Sequence, residues 1–156
     1  MISKELRMAS EHYRKLHKEL WNRIATEVWI QYNSGKLGQI EVYDLKSIVA
    51  GEMLNHGLIT RGEYEECRIN AFCFACVYVS KCYSEDKETE DTRCEHCIIT
   101  WNTQKGRCSA TGSPYRKFST MLENIADGIF DPIDSEVAEL AGYARQIANL
   151  EWHEYE

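Results

Sequence analysis

The chain has 156 residues, 44% of them hydrophobic, with only 2 prolines and 9 glycines. This composition predicts one globular domain and excludes a largely disordered or collagen-like protein. The formal net charge of −7 disfavours general nucleic-acid affinity, because phosphate contacts need clustered Lys and Arg side chains. A local basic face remains at Arg107, Arg116 and Lys117.

The N-terminus begins with charged residues and does not develop the apolar run of a signal peptide. No segment approaches the 18 apolar residues that a membrane-spanning helix needs. We therefore expect a cytoplasmic protein with no membrane partner.

The fold is predicted to be mainly α, a bundle of about five helices with a small zinc-stapled hairpin insertion. Residues 1–156 would form a single helical domain, and residues 73–110 its zinc-binding subregion. The predicted helices run over residues 3–33, Asp44 to His56, Thr60 to about Tyr78, Ser113 to Asp127, and Asp134 or Ser135 to about Trp152.

The first helix is predicted from apolar residues that recur every three or four positions and so share one face. They are Leu6, Ala9, Tyr13, Leu16, Leu20, Ile24 and Val28. About thirty residues would span ~45 Å, which exceeds the width of a domain of this size. The helix is either a core helix with a frayed end or the seam of a homodimer.

Capping signals and apolar spacing define the other helices. Gly57 indicates the end of the second helix, Thr60 and Glu63 form a capping box, and Ser113 followed by Pro114 starts the fourth helix. On the second helix the predicted inward positions are Leu45, Ile48, Val49, and either Glu52 or Met53. The inward positions of the last helix are Val137, Leu140, Ala141, Ala144, Ile147 and Ala148, and its three alanines allow close packing, most simply against the first helix.

Two C-x2-C pairs carry the strongest chemical signal. Cys73 and Cys76 are followed by 17 residues and then by Cys94 and Cys97, a spacing typical of a four-thiolate zinc site. The first pair would share one face of the third helix. Residues 98–101 would form one arm of a hairpin that turns at residues 102–106, with Trp101 folding back over the zinc. The polar segment 84–91 reads as a solvated loop.

Seven cysteines compete for four ligand positions. Cys108 or Cys82 could replace one of the favoured four, whereas Cys67 is predicted to be a buried hydrophobic residue. His96 lies in the second knuckle and is expected to point outward. Disulfides are the less favoured alternative, because the cysteine count is odd and the expected compartment is reducing.

A shell of four thiolates leaves no open position for water or substrate, so the Zn²⁺ would be structural. The sequence also contains no phosphate-binding glycine loop, no G-x-S-x-G elbow and no H-E-x-x-H helix. We therefore expect that the protein is not an enzyme.

Several motifs follow one another in an order that resembles a known family. They are Asn70-Ala-Phe-Cys73-Phe-Ala-Cys76-Val-Tyr78, Cys94-Glu-His-Cys97-Ile-Ile-Thr-Trp101, Cys108, a segment around Tyr115, and Ala144-Arg-Gln-Ile147-Ala148-Asn-Leu150. The family consists of small zinc-knuckle proteins of unknown function that tailed bacteriophages and prophages of Gram-positive bacteria encode. The resemblance covers about residues 70–150 and departs from the family at Ile98, where proline is usual. It implies a phage origin, bound zinc and a later cysteine near the metal, but no reaction.

The expected function is a non-enzymatic, zinc-stabilised protein-interaction module. If the chain is phage-encoded, it would inhibit or modulate a host protein or a bacterial-immunity protein, and it would act in the host cytoplasm. The alternatives are a nucleic-acid-binding zinc protein that uses Arg107, Arg116 and Lys117, and a metal-dependent hydrolase with a second site.

Overall fold

A computed structural model describes residues 4–82, 97–101, 108, 112–127 and 132–152. Within these ranges the protein is mainly helical, which confirms the predicted helical bundle. The six helices are α1 (Lys4–Asn33), α2 (Val42–Asn55), α3 (Arg61–Ile69), α4 (Phe74–Cys82), α5 (Pro114–Ala126) and α6 (Asp134–Ala148). A short 3₁₀ helix (Leu37–Gln39) lies between α1 and α2.

Helix α1 is the axis of the bundle, and α2, α4 and α6 all pack against it. Its predicted apolar stripe is buried from Tyr13 to Val28, and Trp21 is also buried, although its position is partly off that stripe. Nearer the N-terminus Met8 is 68% exposed, and the side chain of Leu6 lies outside the described part of the chain. The bundle therefore covers the middle and C-terminal turns of α1.

Of the helices that pack against α1, α6 makes the most extensive contact. All six positions predicted to face inward on α6 are buried, including Ala141, Ala144 and Ala148. Small side chains let two helix backbones approach closely, so the alanines account for this packing. Helix α5 packs against α6 and against the 3₁₀ helix and adds Phe118, Leu122 and Ile125 to the core.

The predicted capping signals are confirmed. Thr60 Oγ1 accepts the backbone N–H of Glu63 at 3.1 Å, and the Glu63 carboxylate accepts the backbone N–H of Thr60 at 2.9 Å. Ser113 Oγ accepts the backbone N–H of Arg116 at 3.0 Å. Gly57 has a φ of +72°, the left-handed conformation that ends α2.

The inward face of α2 differs from the prediction at Ile48, which is 36% exposed. The buried positions are Leu45, Lys46, Val49, Ala50 and Met53, which recur at helical spacing and exclude residue 48. The prediction of an inward Ile48 was therefore wrong, because the buried face is centred on the side of the helix that carries Lys46 and Ala50.

The predicted helix from Thr60 to Tyr78 is in fact two helices. Ala71 and Phe72 both have a φ of +55°, which ends α3 and turns the chain before α4 begins at Phe74. The backbone N–H of Phe72 closes α3 by donating to Cys67 O at 2.7 Å. The turn buries the Phe72 side chain and places Cys73 ahead of α4 rather than within a long helix.

Helix α6 ends at Ala148, before the predicted end at Trp152. Its N-cap is Ile133, whose backbone N–H donates to the Glu136 carboxylate at 3.2 Å, so neither Asp134 nor Ser135 is the cap. After α6 the chain pairs Trp152 with Ile99 in an isolated antiparallel bridge. The described part of the predicted hairpin arm therefore pairs with the C-terminal segment, and the predicted turn at residues 102–106 lies outside the described residues.

Candidate metal centre

Cys73, Cys76, Cys97 and Cys108 line one cavity of about 320 Å³. Its wall also contains polar and aromatic side chains, namely His17, Lys46, Trp21, Phe72, Trp101 and Tyr115. Three of the four predicted ligands are therefore brought together. The fourth, Cys94, lies outside the described residues, as do His96 and the segment 84–91.

Cys73 occupies the N-cap position of α4. Its Sγ accepts the backbone N–H of Cys76 at 3.2 Å, which favours the thiolate, as does the positive end of the helix dipole. A hydrogen bond from the Cys76 thiol, followed by the nearby Lys46 ammonium, lowers the pKa of Cys73 to about 6 despite its burial. The same hydrogen bond to Cys73, together with burial, raises the pKa of Cys76 well above its usual value.

Cys97 is held by the aromatic residue that follows it four positions later. Trp101 Nε1 donates to Cys97 Sγ at 3.4 Å, and the indole is almost fully buried. Trp101 therefore contacts one of the predicted ligand sulfurs, and its predicted position over a zinc ion stays a prediction. The segment of residues 97–101 is also held by the C-terminal part of the chain, because the Thr100 N–H donates to Glu151 O at 2.8 Å.

Cys108 is attached to the start of α5. Its backbone carbonyl accepts a hydrogen bond from the Ser113 hydroxyl, the same group that caps α5. The sequence left open whether Cys108 replaces one of the favoured four, and its position in the cavity favours a role beside Cys73, Cys76 and Cys97.

The other two described cysteines lie outside this cavity. Cys67 is completely buried, and burial raises the pKa of its thiol, as expected for a small hydrophobic residue. Cys82 is the last residue of α4, and partial burial raises the pKa of its thiol. The six described cysteines form no disulfide with one another.

The four thiols share the cavity without forming a coordination shell. Among the residues that the structure describes, no group of three or more His, Cys, Asp or Glu side chains is placed so that it could hold a metal ion. Thiolates are nevertheless the donors that Zn²⁺ prefers in structural sites. The cavity therefore has the donor chemistry of a zinc site but not its bond geometry.

Lys46 and His17 complete the cavity and were not identified from the sequence as part of the site. Burial lowers the pKa of Lys46, but the Tyr115 phenol and the thiols of Cys73, Cys76 and Cys108 together raise it above its usual value. The His17 Nε2 lies 3.0 Å from Ile147 O, and burial lowers the pKa of His17 to about 4. The signal for Lys46 was its spacing, because it falls within the apolar stripe of α2.

The predicted basic face is only partly described. Arg116 and Lys117 are exposed on α5 and line a shallow groove, and Glu136 and Glu139 of α6 line the same groove. These carboxylates offset the positive charge and make the groove a poor phosphate site. Arg107 lies outside the described residues.

The chain was compared with protein-family models, with curated proteins and with solved structures, and no match was found. Across the described ranges, no helix has both the length and the apolar character needed to cross a bilayer.

Proposed function

We propose that the protein is a non-enzymatic, zinc-stabilised protein-interaction module. Cys73, Cys76 and Cys97 would supply three thiolates, and Cys94 or Cys108 the fourth. The observation that supports this proposal is the cavity itself, which is lined by four cysteines from three separate parts of the chain. Zn²⁺ at this position would supply a cross-link and no open coordination position for a substrate.

The protein's own residues prepare three parts of the chain for such a cross-link. The N-terminus of α4 presents Cys73 and Cys76, and the Ile99–Trp152 bridge fixes the segment that carries Cys97. Ser113 ties Cys108 to α5. Structural zinc sites contribute on the order of 10 kcal/mol to folding in small domains, comparable to the whole stability of an average domain.

The proposed partner is another protein, and with the phage origin that the motifs suggest, a host or bacterial-immunity protein that this chain inhibits or modulates. Tyr43 and Ile69 support this proposal, because they are 50% and 73% exposed; Tyr43 packs against the buried Phe72, and Ile69 ends α3. Aromatic side chains such as Tyr43 are enriched at protein interfaces. A second copy of the chain, paired along α1, is the alternative partner.

The ligand set can be tested by X-ray absorption at the zinc edge on protein purified without chelator. We expect four sulfur neighbours at about 2.3 Å. A shell of nitrogen and oxygen atoms with an exchangeable water would contradict the structural assignment. Loss of one sulfur neighbour in Cys108→Ser or in Cys94→Ser would identify the fourth ligand.

The partner can be tested by affinity capture from a Gram-positive bacterial lysate, with Ile69→Asp and Tyr43→Asp as surface variants. We expect the wild type to retain one defined protein and both variants to lose it. Zinc content should be unchanged in Tyr43→Asp, whereas Ile69 also lines the cysteine cavity, so the zinc content of Ile69→Asp is measured before capture. Ile133→Asp is the matched control, because Ile133 is 60% exposed at the start of α6. Equal capture by all four proteins, or recovery of the chain alone as a homodimer, would contradict the proposed partner.

A further inference from the structure

Among the residues that the structure describes, Lys46 is buried without a carboxylate partner. Its side chain is 7% exposed, and none of the ion pairs among the described residues includes it. A fully buried lysine is rare unless it is paired, because removing an ammonium ion from water is costly. The position therefore requires compensation from other groups.

Hydrogen bonding and aromatic contacts supply part of that compensation. Lys46 Nζ donates to the Ala71 carbonyl at 3.1 Å. It also lies 5.2 Å from the ring centre of Tyr115 and 5.9 Å from that of Trp21, within the range of cation–π attraction. These contacts fix the ammonium in place, but none of them carries a full negative charge.

Within the described part of the chain, the remaining candidates for a counter-charge are the sulfur atoms. Lys46 lines the same cavity as Cys73, Cys76, Cys97 and Cys108. Four thiolates around one Zn²⁺ leave a net charge of −2 in a partly buried cavity, where a fixed positive charge acts more strongly than in bulk water. The negative thiolates would therefore balance the charge of the buried ammonium, and the ammonium would offset part of their excess negative charge.

We propose that Lys46 is the outer positioning residue of the metal centre, and that its ammonium balances the thiolate charge and raises the affinity for zinc. This inference rests on the proposed zinc site. Through Ala71, the same ammonium also holds the left-handed turn that delivers Cys73 to the cavity. Lys46 thus has two roles: it balances the charge of the metal centre, and it stabilises the turn that positions Cys73.

Three substitutions separate charge from hydrogen bonding and from packing. Lys46→Arg keeps the charge, Lys46→Gln keeps an N–H donor without the charge, and Lys46→Met keeps only the apolar stem. Lys81→Met is the matched control, because Lys81 lies on α4 and pairs with Glu66 at the surface. Zinc affinity is measured on the full chain by competition with a chelator of known affinity.

Outer-sphere partners of metal ligands typically change affinity 10- to 100-fold, so we expect a loss of about that size in Lys46→Gln and Lys46→Met. Lys46→Arg and Lys81→Met should stay within a few-fold of wild type. A second measurement is the rate at which iodoacetamide alkylates the zinc-bound sulfurs. That rate should rise in the neutral variants, because the ammonium no longer withdraws charge from the thiolates.

The inference is overturned if Lys46→Gln or Lys46→Met binds zinc with wild-type affinity and reacts at the wild-type rate. If Lys46→Met does not fold, Lys46→Gln decides the question. A wild-type chain that binds no zinc through sulfur would instead overturn the proposed site itself, so the two failures are distinguishable.

Discussion

The α1–α6 pair and the cysteine cavity are stabilised in different ways. Between α1 and α6, aliphatic side chains and three alanines are buried at regular helical spacing. The cavity instead brings together thiols, an ammonium and an imidazole behind a turn with two left-handed residues. We therefore expect apolar burial to be sufficient for the first region and the stability of the second to depend on the balance of its charges.

The turn at Ala71 and Phe72 illustrates the cost of building the cavity. A non-glycine residue in the left-handed region costs of order 1–3 kcal/mol. Burial of the Phe72 ring between Tyr43 and Tyr64 offsets part of that cost, as does the hydrogen bond from Lys46 to Ala71. We therefore expect the cavity region to lose its structure before the α1–α6 pair does.

Loss of a metal ligand is expected to have the largest effect. Cys97→Ser should remove a contribution on the order of 10 kcal/mol from the cavity region. Hydrogen exchange should then accelerate in α4 and residues 97–101, while the amides of α1 and α6 remain protected. Cys82→Ser is the control, because Cys82 lies on α4, the helix that carries Cys76, but outside the cavity. Equal acceleration in both variants would contradict a ligand role for Cys97, and equal acceleration in α1 and α6 would remove the distinction between the two regions.

A core truncation in α6 should lower the free energy of unfolding by less than the loss of a metal ligand does. It should weaken the α1–α6 pair and leave the metal site unchanged. Leu140 is completely buried, so Leu140→Ala should lower the free energy of unfolding by about 2–5 kcal/mol. Zinc stoichiometry should not change, because Leu140 does not line the cavity. Chemical denaturation measures the loss, and Ile133→Ala at an exposed site should cost far less. A drop in zinc content with Leu140→Ala would show that the two regions are not separable.

His17 joins the two regions, since it lines the cavity and its Nε2 lies within hydrogen-bonding distance of Ile147 O in α6. Its pKa is lowered to about 4 in the folded protein, against about 6.5 when unfolded. Between these values the unfolded chain binds more protons, so stability falls as the pH is lowered from about 6.5 to 4. The loss can reach about 3 kcal/mol.

The measurement is the free energy of unfolding of the wild type and His17→Gln across that pH range. Protonation of the thiolates affects both proteins, so the difference between them isolates the histidine. The wild type should lose more stability towards pH 4. Parallel curves would show that His17 does not titrate on unfolding.

The regular parts of the fold could be predicted because local signals determine them. The buried face of α6, the capping box at Thr60 and the start of α5 at Ser113 all follow from spacing or from one or two side chains. The break at Ala71 and Phe72 could not be predicted in the same way, because neither residue is glycine or proline, the usual signals of a helix break. Two of the contacts that hold this turn come from α2, where Tyr43 packs against Phe72 and Lys46 donates to Ala71 O, and no local pattern indicates them.

The candidate site was predicted only in part, for the same reason. The C-x2-C spacing identified Cys73, Cys76 and Cys97 together with Cys94, which lies outside the described residues, and the cysteine count left Cys108 as a possible replacement. Lys46 was missed because a lysine is normally assigned to the surface, although its spacing places it in the buried stripe of α2. The bridge from Ile99 to Trp152 joins residues more than fifty positions apart, and no local pattern indicates it.

Native mass spectrometry of the full chain, with and without a strong chelator, tests the central claim most directly. We expect one zinc ion per chain, no zinc in Cys97→Ser, and a shift to higher charge states when zinc is removed, because the cavity region opens. A wild-type chain that carries no zinc when purified without chelator, and whose charge states do not change on adding zinc, would contradict the account.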